Sequence, residues 1–198
     1  MTLRIHQIIN GTKVEGPGNR TCIFLQGCLK HCKGCNSPQT WDLNGGSVYT
    51  VDELSEMILN DKNIEGVTFS GGEPLLQSKE LYELSKLLKS NNLSIVLFTG
   101  YSYDLIRKVN DANWNNLLSL CDLLITEPFI EKLKTTTKIW VGSSNQKYYF
   151  LSDRYKYLEN ELHTLENKVE VRLNKDGSLI VLGMGDNGKI KEFFKDII

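Results

Sequence analysis

Three short apolar runs frame this chain: Gly66-Val67-Thr68-Phe69-Ser70, Ser94 to Phe98, and Cys121 to Thr126. Each is too short for a helix and reads as a buried strand. Patterns of helical period lie between them. Thr50-Val51-Asp52-Glu53 fits a capping box, and Val51, Leu54 and Ile58 share one face of the helix it opens. Leu81, Leu84 and Leu88 repeat at helical spacing within 78–90, and a further helix is expected over 102–110. Strands alternating with helices indicate βαβ units and a mainly parallel sheet. Right-handed crossovers would curl such a sheet into an open or closed barrel. Two more strands are expected earlier, over residues 3–9 and from Thr21 to Gln26, and one later, from Lys138 to Val141. Val169 to Leu173 and Ser178 to Leu182 flank Asn174-Lys175-Asp176-Gly177, a hairpin signal. Residues 145–167 are polar and mixed, without a clear period.

Composition narrows the class. With 198 residues, 40 % hydrophobic and 24 % charged, the chain can bury its own core. The expectation is a single domain over 1–198, with a C-terminal extension over about 148–198. No apolar run approaches the ~20 residues of a membrane helix, and the first residues lack the apolar region of a secretion signal. The chain therefore reads as soluble and cytoplasmic. Its net charge of −1 gives no reason to expect nucleic acid or membrane as a partner. The distribution is less even. Arg4, Lys13, Arg20, Lys30 and Lys33 stand against Glu15 alone in residues 1–40. That segment could present a basic face to an acidic partner, or an ordinary solvated surface.

The cysteines carry the chemistry. Four of the five lie close together, at Cys22, Cys28, Cys32 and Cys35, while Cys121 stands apart. An odd number cannot pair completely, and clustered cysteines without a secretion signal point to metal. Cys28-x3-Cys32-x2-Cys35 sits in a loop over about 27–46 whose Gly, Asn, Pro and Lys content does not support a regular element. Three thiolates on such a loop can hold three corners of one iron–sulfur cluster. A [4Fe–4S] cube normally takes four, so a triad leaves one iron free to bind a small molecule. A structural zinc site would need a fourth ligand, for which Cys22 or His31 is available. A ferredoxin would want a different, four-cysteine spacing. Cys22 and Cys121 fall in apolar runs and read as core. His6, His31 and His163 form no constellation.

The three-cysteine spacing resembles that of the radical S-adenosylmethionine enzymes. Surrounding motifs narrow the resemblance to glycyl-radical-enzyme activases, and among them to the activating proteins of anaerobic ribonucleoside-triphosphate reductases. These motifs are Gly16-Pro17-Gly18-Asn19-Arg20, Gln26-Gly27-Cys28, Cys32 through Asp42, Phe69-Ser70-Gly71-Gly72-Glu73-Pro74-Leu75, Phe98-Thr99-Gly100-Tyr101, Asp122-Leu123-Leu124-Ile125 and Gly142 through Gln146. The likeness spans roughly 3–147 and resumes weakly in the 169–185 hairpin. Gly34 stands where many radical S-adenosylmethionine enzymes carry an aromatic residue.

The resemblance implies an α/β fold, an incomplete (β/α)6-type radical SAM barrel of about six parallel strands with a C-terminal β-hairpin. It implies a [4Fe–4S] cluster on Cys28, Cys32 and Cys35, with S-adenosyl-L-methionine as second cofactor. The methionine amino and carboxylate groups would chelate the open iron. One electron would then cleave the S–C5′ bond to give methionine and a 5′-deoxyadenosyl radical. The implied partners are the glycyl-radical subunit of the anaerobic reductase and a flavodoxin or similar electron donor. Gly71, Gly72, Glu73 and Pro74 would form the loop that holds the methionine amino group, the glycines allowing close backbone approach. Thr99 closes a strand, at the end where ligands sit in parallel α/β folds, and could face the ribose. Asn36 and Trp41-Asp42 follow the cluster loop and could fold over it. Lys30 and Lys33 could favour a reduced cluster or dock an acidic flavodoxin. Two other readings keep some of these features: a radical enzyme with another peptide or small-molecule substrate, and a non-enzymatic iron–sulfur or zinc protein.

Overall fold

The chain's structure, a computed structural model, describes residues 1–185, 192 and 195. Strand β1 (Thr2–Thr12) turns back on β2 (Arg20–Leu25), and β3 (Ser47–Thr50) flanks β1, both pairings antiparallel. β2 then runs parallel to β4 (Gly66–Gly71), β4 to β5 (Ser94–Phe98), and β5 to β6 (Leu123–Thr126). β7 (Lys147–Phe150) closes the far edge, antiparallel to β6. The order across this seven-stranded sheet is β3-β1-β2-β4-β5-β6-β7. β8 (Val169–Leu173) and β9 (Leu179–Gly183) form a separate antiparallel ribbon, the expected hairpin.

Among the described residues, four helices link the strands: α1 (Val51–Leu59), α2 (Ser78–Ser90), α3 (Tyr103–Val109) and α4 (Ala112–Leu118). The capping box at α1 is present: Thr50 Oγ1 accepts from Glu53 N at 3.1 Å, and Glu53 Oε2 accepts from Thr50 N at 2.7 Å. Leu54 and Ile58 of α1 and Leu81, Leu84 and Leu88 of α2 pack on Ile23, Val67, Phe69 and Ile95. The opposite face carries a second cluster, in which Val96, Phe98 and Ile125 meet Trp140, Tyr155 and Leu158. The β8–β9 ribbon covers that same face over β1 and β2, burying Leu182 with Ile9, Val14 and Cys22. The central strands are thus buried on both sides, which is why they read as near-continuous apolar runs.

Three expectations are corrected. The sheet has four parallel strands, not about six. The connection 13–19 is too short for a parallel crossover, which needs a dozen residues or more, so β1 and β2 pair as a hairpin. Lys138 to Val141 is not a strand: Trp140 has φ +58° and turns the chain. The apolar character there comes from burial, with Trp140 and Val141 packed in the second cluster. Within the polar stretch 145–167 lie β7 and a 3₁₀ segment, Asp153–Asn160. The C-terminal extension is described to residue 185; the rest of it, apart from 192 and 195, lies outside the described residues. Among the described residues no helix is long and apolar enough to cross a membrane.

Candidate cofactor site

At the carboxyl ends of β2, β4 and β5 the chain leaves the sheet in three loops, and these enclose a cavity of about 430 Å³. That size is typical of a small-molecule site. Cys28, Cys32, Cys35 and Asn36 line it from the loop after β2. Gly71, Gly72 and Glu73 line it from the loop after β4, and Thr99 from the end of β5. Trp41 and Lys30 also line it, whereas Asp42, Lys33 and Pro74 lie outside the lining; Pro74 is buried at the start of the 3₁₀ turn Pro74–Gln77.

The cysteine loop is held at both ends. Gly27 N donates to Thr40 O at 2.8 Å and Cys28 N to Trp41 O at 3.2 Å. The buried Gln26 side chain donates to Asp42 O at 2.7 Å and Gln39 O at 3.2 Å. Within the loop, Cys35 N donates to Cys32 O at 3.1 Å, and Ser37 N to Cys35 Sγ at 3.4 Å. Burial pushes the Cys28 thiol up, opposed by backbone N–H donors from Lys30 and His31. A coordinating metal would reverse that balance, since a ligating thiol is deprotonated outright.

The loop after β4 locks onto the first. Glu73 N donates to Gly27 O and Gly72 N to Leu25 O, each at 2.8 Å. This approach demands glycine. A Cβ on Gly72 would lie 2.3 Å from Gly27 O, and one on Gly71, at φ +93°, would lie 2.6 Å from Leu25 N.

Glu73 itself is 2 % exposed. Its Oε1 accepts from Thr99 Oγ1 at 2.7 Å and Leu75 N at 3.1 Å, and its Oε2 from Gly100 N at 2.8 Å. Burial raises its pKa, while these hydrogen bonds and the nearby Lys30 ammonium lower it. A carboxylate offers about four acceptor positions, so roughly one is left for a ligand. The Thr99 hydroxyl proton is committed to Glu73, so Thr99 positions the carboxylate.

Neither side chain that could complete a zinc tetrahedron lines the cavity. Cys22 is fully buried in β2, and His31 stacks on Trp41 with ring centroids 4.6 Å apart. Cys121 is also core, its Sγ donating to Leu117 O at 3.4 Å. Among the described residues no three His, Cys, Asp or Glu side chains converge closely enough to hold one metal ion. The three loop thiols border a shared space without meeting at a point.

Beyond these, Glu15 and the hairpin residues line the cavity without having been assigned to it from the sequence, while Gly142 and Gln146, noted there only as part of a motif, also border it. Glu15 reaches the cavity from the loop before β2, where its Oε1 accepts from Gly183 N at 2.8 Å. Its one visible signal was being the sole acid in a basic segment. Val181 to Met184 bring the hairpin to the rim, and Gly142 and Gln146 supply a further wall, closed by Gln146 Oε1 accepting from Gly142 N at 2.8 Å. The basic face expected over residues 1–40 is reduced, because Arg20 is fully buried and Lys30 turns into the cavity.

A family described as "4Fe-4S single cluster domain" matches residues 14–149. The anaerobic ribonucleoside-triphosphate reductase-activating protein of Salmonella typhi is 33 % identical over 158 residues, covering 75 % of this chain and 99 % of that protein. The protein so named from Enterobacteria phage T4 is 32 % identical over 146 residues, covering 71 % of this chain and 89 % of that protein. The pyruvate formate-lyase-activating enzyme of Clostridium pasteurianum is 38 % identical over 130 residues, or 63 % of this chain. The match spans about half the length of that enzyme, 51 %.

Proposed function

Because the chain belongs to the radical S-adenosylmethionine activases that carry a single 4Fe-4S cluster domain, we propose that it generates a glycyl radical on an anaerobic ribonucleoside-triphosphate reductase. Cys28, Cys32 and Cys35 hold one [4Fe–4S] cluster, and S-adenosylmethionine binds beside it. The observation that carries this reading is that the three thiols and the Glu73 carboxylate share one cavity, on loops joined by the Glu73 N to Gly27 O hydrogen bond.

The residues present suit these groups. Three thiols on one wall, with Cys22 and His31 held elsewhere, match a cluster that keeps one iron for a small ligand. Glu73 has an acceptor position left for the methionine ammonium, and a cation there would favour its ionised form. Thr99 and Gly100 fix the carboxylate for that contact. Asn36, Trp41 and the hairpin rim shield the site from water. When bound and reduced, the cluster supplies the electron that cleaves the sulfonium. A flavodoxin-class protein is the electron donor this reading expects. The parallel strands with helices over one face support an incomplete (β/α) barrel in one domain, and the reading expects it to work in the cytoplasm.

The test is anaerobic. The reconstituted, reduced protein is given S-adenosylmethionine, with and without the reductase. The proposal expects 5′-deoxyadenosine in both cases, and a glycyl-radical EPR signal when the reductase is present. Product without that signal would favour another peptide or small-molecule substrate. No product at all would leave a non-enzymatic cluster protein.

A further inference from the structure

Two lysines flank the middle cysteine of the cluster loop, and the structure sends them in opposite directions. The Lys33 side chain is 89 % exposed, and its Nζ pairs with Glu131 Oε2 at 3.1 Å. Lys30 is half-buried and lines the cavity. Its stem lies against Gly100, where a Cβ would come 2.5 Å from Lys30 Cδ. Its ammonium rests 3.9 Å from the centroid of the Tyr101 ring. Among the described residues no carboxylate comes within ion-pair distance of it. An aromatic face attracts a cation without cancelling its charge. The Lys33 charge, by contrast, is paired and bathed in water, where it is screened.

We propose that Lys30 is a positioning residue that sets the reduction potential of the cluster, by keeping a fixed positive charge on the wall that the three thiols share with Glu73. The inference rests on the cluster reading above. Reduction adds one electron, drawn from an external low-potential donor, and no bond or proton moves. The added negative charge is stabilised by a nearby cation, and more strongly in a half-enclosed cavity than in water. The surroundings are otherwise unfavourable to it. Glu73 adds negative charge there and acts against ionisation of both Cys28 and Tyr101. Lys30 is the cation placed to offset this, and its reach is visible in its lowering effect on Glu73.

The test is a potentiometric EPR titration of the reconstituted full chain, with iron and sulfide content measured in parallel. Lys30→Met keeps an apolar stem against Gly100 and Tyr101 but removes the charge. Its midpoint is expected to fall by about 59 mV, a tenfold change in the reduced-to-oxidised ratio for one electron. Lys30→Arg restores the charge and is expected to return close to wild type. Lys33→Met is expected to leave the midpoint unchanged. A Lys30→Met midpoint equal to wild type at full iron content overturns the proposal, as does an equal shift in Lys33→Met. If Lys30→Met loads poorly, Lys30→Gln carries the same expectation. Failure of both to load, while Lys30→Arg loads fully, overturns it in favour of a role in cluster assembly. A wild-type chain that takes up no cluster would overturn the underlying reading instead, and iron analysis separates that result from the others.

Discussion

At the amino ends of β2, β4 and β5, Arg20 uses every N–H it has; at the carboxyl ends of the same strands, Glu73 keeps an acceptor position in hand. Arg20 is fully buried. Its five N–H groups go to Thr68 Oγ1, Pro17 O, Tyr155 OH, Val67 O and Ser94 Oγ. Tyr155 OH in turn donates to Glu65 Oε1 at 2.6 Å. Such a saturated network ties strands together and has nothing left to offer a ligand. Glu73 is as deeply buried, but it faces a cavity and is not saturated. Burial of charge alone therefore does not mark a functional site. What separates the two ends is whether the hydrogen-bonding capacity is spent.

That contrast can be broken in order of expected effect. Alanine at Cys28, Cys32 or Cys35 should abolish 5′-deoxyadenosine formation while leaving the melting temperature near wild type, since these half-buried thiols carry no core packing. A large fall in melting temperature would show that the open end also holds the fold. Arg20→Met should do the reverse. Removing a buried charge leaves its acceptors unpaired and should cost about 3–5 kcal/mol in urea unfolding, yet at low temperature the folded fraction should still cleave S-adenosylmethionine. Glu73→Gln should weaken S-adenosylmethionine binding roughly 10- to 100-fold by calorimetry, the worth of one charge-assisted hydrogen bond at about 1.5–3 kcal/mol. Unchanged affinity would remove Glu73 from the site.

The last effect, on stability and not on the reaction, concerns Glu15, the second buried acid at the open end. Burial pushes its pKa up to about 7, outweighing the Gly183 N–H that favours the charged form. The folded protein therefore binds a proton that the unfolded chain, near the ordinary glutamate value of about 4.3, has released. Stability should fall as pH rises from about 4.5 to about 7, by on the order of 3 kcal/mol, and level off above. Urea midpoints across that range should show the slope in wild type and not in Glu15→Gln. Parallel profiles would mean that Glu15 does not titrate there.

The two ends also differ in how much of each was legible in the sequence. The open end is built from local signals: a three-cysteine spacing, a Gly-Gly-Glu-Pro loop directly after a strand, and a threonine at the end of the next. These motifs sit at strand ends because a parallel sheet delivers its loops there, so reading the strands placed the motifs. Helix α2 and strand β5 were legible to the residue, because apolar periodicity and the turn signals that end a strand are local too. The closed end depends on partners far apart in sequence. Tyr155 lies 135 residues from Arg20, within the stretch 148–168 that matched no motif. No short-range pattern announces that Tyr155 and Leu158 will plug the amino ends of the strands, or that Arg20 will leave the basic surface to join them. Glu15 was opaque for the same reason, and Lys30 could not be told from Lys33, since what a charge does depends on the wall it is folded against. Strand β7 escaped because an edge strand buries little and needs no apolar run.

The claim on which the rest depends is that the cluster offers one iron to the sulfonium ligand. EPR of the reduced, reconstituted protein, recorded before and after adding S-adenosylmethionine, tests it most directly. The account predicts about four irons per chain and a cluster signal whose shape changes on addition, as the ligand reaches the metal. A signal identical with and without S-adenosylmethionine, from a fully loaded protein, would contradict it.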